Sequence, residues 1–127
     1  MDRALIPAMA DWPRCRPWIE AALEYGHGTH TIDDVEAAII AGEATFWPGP
    51  NAAMVTELVE LPRAKVVHFW LCGGDLEELQ RMRAYIEGVS VAQGCTKAST
   101  AGRRGWARVL KSDGYDFGWE VCVKELT

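Results

Sequence analysis

The spacing of hydrophobic and polar residues changes several times along the chain, and the clearest change follows residue 71. Residues 64–71 form a nearly continuous hydrophobic run rich in β-branched and aromatic side chains, which is typical of a central strand buried on both faces. After Gly73 and Gly74, hydrophobic residues recur at helical spacing over residues 75–93. Asp75, with Glu78 three residues later, is placed to cap this helix. The pattern predicts a strand, a glycine turn and a helix.

Hydrophobic residues at helical spacing, and short hydrophobic or alternating runs typical of strands, predict the other elements. Helices are predicted over residues 11–24, 31–42 and 106–112, and strands over residues 44–47, 52–61, 96–99 and 117–126. Short turns join the first two of these strands to the central run, so the three should form an antiparallel meander. The strand at 96–99 follows a helical crossover and should pair parallel to the central strand.

These elements predict one domain of the α/β (α+β) class, with a mixed, mostly antiparallel sheet flanked by helices. Residues 1–43 would supply the N-terminal helices, and residues 44–127 would supply the sheet and its remaining helices. A chain of 127 residues is large enough to bury a core without metal or disulfide cross-links.

Charge and cysteine content narrow the function classes. The chain carries 13 basic and 18 acidic side chains, which argues against broad nucleic-acid binding because such binding needs a basic face. Four cysteines without a CxxC pair indicate reduced thiols. The N-terminus does not resemble an export signal, and no hydrophobic run reaches the ~20 residues of a membrane helix. We expect a cytoplasmic protein that binds neither membranes nor nucleic acid.

A metal site is one chemical alternative. His27 and His30, with Asp33 and Asp34 nearby, offer imidazole and carboxylate ligands of the kinds that zinc takes. They lie in a glycine-containing loop without a cysteine close in sequence, and a solvated loop that positions the next helix cap explains them better. We therefore expect no metal, and a small metal-binding module is kept as the third functional alternative.

From residue 44 onward, the order of the predicted elements resembles the fold of the GNAT superfamily of N-acetyltransferases. In that family a central strand is followed by an acyl-CoA-binding helix, a further strand, a short helix that ends in glycine and an aromatic residue, and a final strand. The corresponding stretches here are residues 68–74, 75–93, 96–99, 105–115 (ending in Gly114 and Tyr115) and 117–126. Residues 69–76 and 102–110 also resemble small GNAT-like proteins encoded by phages and prophages.

The resemblance implies transfer of an acetyl group from acetyl-CoA to an amine acceptor. The cofactor-binding residues would be Leu71, Cys72, Gly73, Gly74, Arg103 and Arg104. The catalytic base would be His68, Glu57 or Glu60, on the two central strands. A buried histidine bonded to its neighbours and an exposed acidic face of the sheet explain the same three residues without catalysis. The two arginines would equally suit an acidic protein partner or a solvated helix.

Two features depart from the family pattern. GNAT enzymes usually carry a Gln/Arg-x-x-Gly-x-Gly/Ala run whose N–H groups cradle the CoA pyrophosphate. This turn instead leads into Asp75, Glu77 and Glu78, which would repel a pyrophosphate. Many of these enzymes also place a proton-donating tyrosine four residues before the glycine of the glycine-aromatic ending, where this chain has Leu110.

Two functions from different classes therefore stay open beside the metal module. The first is an acetyl-CoA-dependent N-acetyltransferase in the cytoplasm. The second is a catalytically degenerate GNAT-like protein of a phage or prophage, present in the host cytoplasm or the virion. It would act as a virion component or host-interaction module, through a protein partner or as a homo-oligomer.

Overall fold

The computed structural model describes residues 6–101, 104–116, 118 and 122–126, with the backbone alone described for residues 104–107. A 3-10 turn at Pro7–Asp11 leads into the first helix. The helices are α1 (Trp12–Leu23), α2 (Ile32–Ile40), α3 (Leu76–Ala92) and α4 (Arg104–Lys111). The strands are β1 (Thr45–Pro48), β2 (Ala52–Leu61), β3 (Ala64–Gly74) and β4 (Lys97–Thr100). Together they make a single α+β domain.

The four strands form one mixed sheet in the order β1-β2-β3-β4. β1 with β2 and β2 with β3 are antiparallel, whereas β3 and β4 are parallel. The predicted meander and the predicted parallel crossover are both confirmed. The central strand is longer than predicted, because Gly73 and Gly74 continue to pair with Ala53 and Ala52 of β2.

A β-bulge interrupts the centre of the sheet. Val55 of β2 pairs with Leu71, but the next residue, Thr56, pairs with Phe69, so Trp70 is the extra residue of β3. On its other side, β3 pairs with β4 only from Val66 to Phe69. The remainder of β3, through Gly74, runs beside β2 alone. Pairing of the two parallel strands therefore ends at Phe69 and Thr100, next to the bulge.

Hydrophobic cores lie on both faces of the sheet. The core on the α1–α2 face includes Trp12, Cys15, Ile19, Val35, Ile39, Phe46, Val55 and Leu71. The core on the α3 face includes Ala52, Met54, Val67, Phe69, Leu79 and Ile86. Because both faces are covered, the central strands read as hydrophobic runs rather than as alternating ones.

The predicted terminal strand at 117–126 is corrected in the part that the structure describes. Residues 118 and 122–126 belong to no strand, and Phe117 with residues 119–121 lies outside the described residues. Val123 is 50% exposed and Leu126 is 87% exposed. Residues 122–126 are all exposed, so no side of this segment is buried against the rest of the protein. Alternation of hydrophobic and polar residues is therefore not sufficient to form a strand here.

Within the described part of the chain, no helix combines the length and the hydrophobicity needed to cross a bilayer.

Candidate functional site

A cavity of about 250 Å³ lies beyond the last pair of β3 and β4. Its walls include Trp18 and Ala22 of α1, Phe69 and Cys72 of β3, Thr100 of β4 and Arg83 of α3. The Thr100 hydroxyl donates a hydrogen bond to the Phe69 carbonyl at 3.3 Å and ties the strands together at their last shared pair. The cavity thus begins where the backbone pairing ends.

Arg83 is a charged residue of the cavity wall whose side chain is only 5% exposed. Its guanidinium donates to the Asp113 carboxylate, lies 3.9 Å from the Glu87 carboxylate and sits 5.6 Å from the centre of the Tyr115 ring. Two carboxylates therefore balance this cation. The contacts also fasten the turn after α4 to α3.

The segment around α4 supplies a hydrophobic wall without a free phenol. Leu110 is buried against the cavity. The hydroxyl of Tyr115 donates to the Glu87 carboxylate, and burial, with this hydrogen bond, raises the pKa of Tyr115 well above its usual range. The hydroxyl of Tyr115 is therefore engaged in a hydrogen bond that links the end of α4 to α3.

The two glycines at the end of β3 are required by packing. A side chain at Gly73 would collide with the carbonyl of Trp18 in α1. Gly74 adopts a φ of +109°, and a side chain there would collide with the backbone of Asn51 and Ala52. Backbone atoms of α1 and of residues 51–52 therefore fill the space that side chains at these two positions would need.

The acidic residues at the start of α3 are also used internally. The Asp75 carboxylate accepts from the Glu78 N–H at 2.9 Å, which confirms the predicted cap. Glu78 does not reach back to Asp75 as in a capping box; its carboxylate accepts from the Asn51 N–H at 2.7 Å. Arg14 of α1 donates to the Gly49 carbonyl at 2.8 Å. The loop before β2 is therefore held between α1 and α3.

His68 lies at the centre of β3, next to β4. Its neighbours Val67 and Phe69 face α3, so its side chain projects from the α1–α2 face. The ring is partly exposed, and its Nδ1 lies 2.9 Å from the Ser99 hydroxyl of β4. Burial lowers the pKa of His68 from its ordinary 6.5, and the nearby Glu57 carboxylate acts in the opposite direction. The ring is therefore neutral at neutral pH and can accept a proton.

The register distinguishes the two predicted carboxylate bases. Glu57 pairs directly with His68, on the same face of the sheet. Glu60 pairs with Lys65, three residues farther from the cavity, and alternation directs it to the opposite face. Of the three predicted bases, the sheet brings together His68 and Glu57. It adds Ser99, which the sequence analysis did not single out, although the predicted parallel strand pointed to that neighbourhood.

The predicted cofactor-binding residues are placed in several environments. Leu71 is 5% exposed and belongs to the core on the α1–α2 face. Cys72 lines the cavity, and burial raises the pKa of its thiol to about 12, which leaves it unreactive as a nucleophile. Arg103 lies outside the described residues. Arg104 begins α4, and its side chain also lies outside them.

The histidine loop makes contacts other than metal ligation. The His30 ring packs edge-on against Trp70 at 4.9 Å, and its Nδ1 lies 2.8 Å from the Thr29 hydroxyl. Asp34 caps α2 together with Thr31. In the ranges that the structure describes, no cluster of three or more His, Cys, Asp or Glu side chains is arranged to hold a metal ion.

Comparison with known proteins identifies similar folds. The tetramutant of the BH1408 protein from Bacillus halodurans superposes with a TM-score of 0.66 over 92% of this chain and 95% of that chain, at 15% sequence identity. Wild-type TTHA1254 from Thermus thermophilus superposes with a TM-score of 0.58 over 93% and 92%, at 17% identity. No family model matches the chain, and no curated protein matches it. The likeness is one of fold.

Proposed function

We propose that the protein is GNAT-like and acts as an acetyl-CoA-dependent N-acetyltransferase on an amine acceptor. The observation that carries this proposal is the cavity beyond the last pair of β3 and β4. The resemblance noted in the sequence puts the acyl donor at the end of the strand that corresponds to β3. A thioester entering this cavity would lie beside the bulge at Trp70, two residues beyond His68 along β3.

The neutral ring of His68 supports a role as general base. In the proposed reaction His68 takes a proton from the attacking amine, the amine nitrogen bonds to the thioester carbonyl carbon, and the carbon–sulfur bond breaks. Glu57 stabilises the protonated ring from the adjacent strand. Leu110 offers no proton to the departing thiolate, and Tyr115 is bonded to Glu87, so the thiolate takes its proton from solvent.

A second candidate function is favoured by the start of α3. Asp75 already occupies the N–H of Glu78, and the carboxylates of this turn oppose a pyrophosphate at the positive end of the helix dipole. This arrangement supports a catalytically degenerate GNAT-like protein, of phage or prophage origin, that works through a protein partner or as a homo-oligomer. Such a protein would not bind acetyl-CoA.

Calorimetric titration with acetyl-CoA separates the two functions. We expect saturable binding by the wild-type protein and loss of binding in Ala22→Phe, whose added ring would fill the cavity. Ala37→Phe, on the exposed side of α2, is the matched control and should bind as the wild type does. No heat and no thermal shift at millimolar acetyl-CoA would rule out the enzyme and favour the surface function.

Glu77 provides a second test of cofactor placement. Its side chain lies on the exposed first turn of α3, where a carboxylate interacts with the helix dipole. If the pyrophosphate lies near this turn, Glu77→Gln should tighten acetyl-CoA binding by roughly two- to fivefold at low salt, the size of one charge–dipole interaction. An unchanged affinity would place the phosphates elsewhere.

A further inference from the structure

The hydrogen bond between His68 and Ser99 joins two adjacent parallel strands. The residues are direct partners in the β3–β4 register, and the ring Nδ1 lies 2.9 Å from the hydroxyl oxygen. The next pair in the register is Phe69 and Thr100, and both residues line the cavity. The Thr100 hydroxyl donates a hydrogen bond to the Phe69 carbonyl. The imidazole is thus fixed on regular secondary structure, one pair before the β3–β4 ladder ends.

Both side chains of this pair are partly exposed. A contact of this kind can exchange protons with a bound molecule, which a completely enclosed pair cannot do. Because Ser99 engages Nδ1, Nε2 is the ring nitrogen left for a substrate. Which ring nitrogen carries the proton is set by the hydrogen bond that the other makes.

We infer that Ser99 is the positioning residue of His68, an inference that rests on the proposed acetyltransferase function. Its oxygen accepts a hydrogen bond from Nδ1–H and so leaves the Nε2 lone pair to take the proton of the amine acceptor. The hydroxyl suits this role because its oxygen has two acceptor lone pairs. Glu57, the partner of His68 on the opposite strand, then faces a ring whose orientation Ser99 has already fixed.

The tautomer of His68 tests this inference without any activity measurement. The chain has three histidines, so proton–nitrogen correlation spectra of the imidazole rings can be assigned with His68→Gln. At a pH where the ring is neutral, we expect the Nδ1–H form in the wild type and a shift towards the Nε2–H form in Ser99→Ala. Ser99→Thr keeps a hydroxyl and should restore the wild-type spectrum. Ser112→Ala, at the exposed end of α4, is the matched control.

An Nε2–H tautomer in the wild type, or the same tautomer in wild type and Ser99→Ala, would overturn the inference. This spectrum decides the question even if acetyl-CoA does not bind, so failure of the proposed function and failure of the positioning role are distinguishable. With a turnover assay, Ser99→Ala should lower kcat roughly tenfold at unchanged KM, a part of what general-base catalysis contributes. Full kcat in Ser99→Ala would also overturn it.

Discussion

At the residue scale, His68 experiences two opposing influences on its charge. Burial favours the neutral ring, and the Glu57 carboxylate favours the protonated one; burial is the larger influence, so the pKa of His68 lies below 6.5 in the folded protein. As the pH falls, the unfolded chain binds a proton at this site first. The stability that the neutral ring contributes is therefore complete above 6.5 and is lost as the pH falls through the folded pKa.

This linkage predicts a variant with a flatter pH dependence. His68→Gln should lose less unfolding free energy than the wild type between about pH 7.5 and about pH 5, because it has no ring to protonate. Urea unfolding at the two pH values measures the difference. His27→Gln, in the exposed loop, is the control and should behave as the wild type does. Parallel losses in wild type and His68→Gln would contradict the assignment.

Asp75 predicts a local stability effect. Asp75→Ala removes the hydrogen bond to the Glu78 N–H and should lower the free energy of unfolding by about 1 kcal/mol. Glu77→Ala removes only an exposed charge from the same turn and should cost less than Asp75→Ala, near the lower end of the ~0.3–1 kcal/mol that a charge gains from the helix dipole. Urea unfolding of the two variants measures both values. Equal losses would mean that charge, rather than the cap, stabilises this end of α3.

At the element scale, α3 shows how a helical stripe departs from its hydrophobic pattern. The hydrophobic residues at helical spacing over residues 75–93 begin with Leu76, but Leu76 is 45% exposed because it begins the helix. The buried face of α3 instead combines Leu79 and Ile86 with Arg83 and Ser90. Periodicity finds the helix and its orientation, whereas a polar member of the buried stripe depends on a partner such as Asp113, 30 residues away.

Two glycines in different elements should respond oppositely to the same substitution. Gly73→Ala would force α1 away from β3 and should destabilise the protein by about 1–3 kcal/mol. Gly88, exposed on α3, has open space around its Cα, so Gly88→Ala should stabilise by about 0.5–1 kcal/mol through helix propensity. Chemical unfolding of both variants measures the signs. A stable Gly73→Ala would mean that α1 is not held closely against the turn.

At the scale of the whole molecule, the sheet separates two hydrophobic cores, one on each face. Ile19 belongs to the core on the α1–α2 face and Ile86 to the core on the α3 face. Each change to valine should cost about 0.5–1.5 kcal/mol. Because the sites share no partner, the double variant should equal the sum within about 0.5 kcal/mol. A double-mutant cycle by urea unfolding measures this.

Two residues that touch within one core should behave differently from Ile19 and Ile86 in a double-mutant cycle. The rings of Trp12 and Phe46 meet edge-on at 5.1 Å. Trp12→Phe and Phe46→Leu should therefore couple by about 0.5–1.5 kcal/mol, the range for such aromatic pairs. Additive effects for Trp12 and Phe46, or strong coupling for Ile19 and Ile86, would contradict the division into two cores.

Local chemistry explains what the sequence by itself determined about this protein. The caps at Thr31 and Asp75, the helical period of α3 and the short turns of the meander each depend on residues a few positions apart. Such interactions form largely independently of the rest of the chain, so the α+β class, the strand order and the parallel crossover could be predicted. The glycine turn was predicted wrongly, because Gly73 and Gly74 continue β3 and pair with β2.

The tertiary structure alone decided how the candidate site is assembled. Ser99 meets His68 across 31 residues, and Glu78 meets Asn51 across 27. The first contact depends on the β3–β4 register, and the second depends on how α3 packs against the loop before β2. The bulge at Trp70 shifts the β2–β3 register by one residue. A register shift changes which side chains share a face without changing any local pattern. The cavity, its hydrophobic wall at Leu110 and the neutral state of His68 follow from that packing, and no short segment of the sequence encodes them.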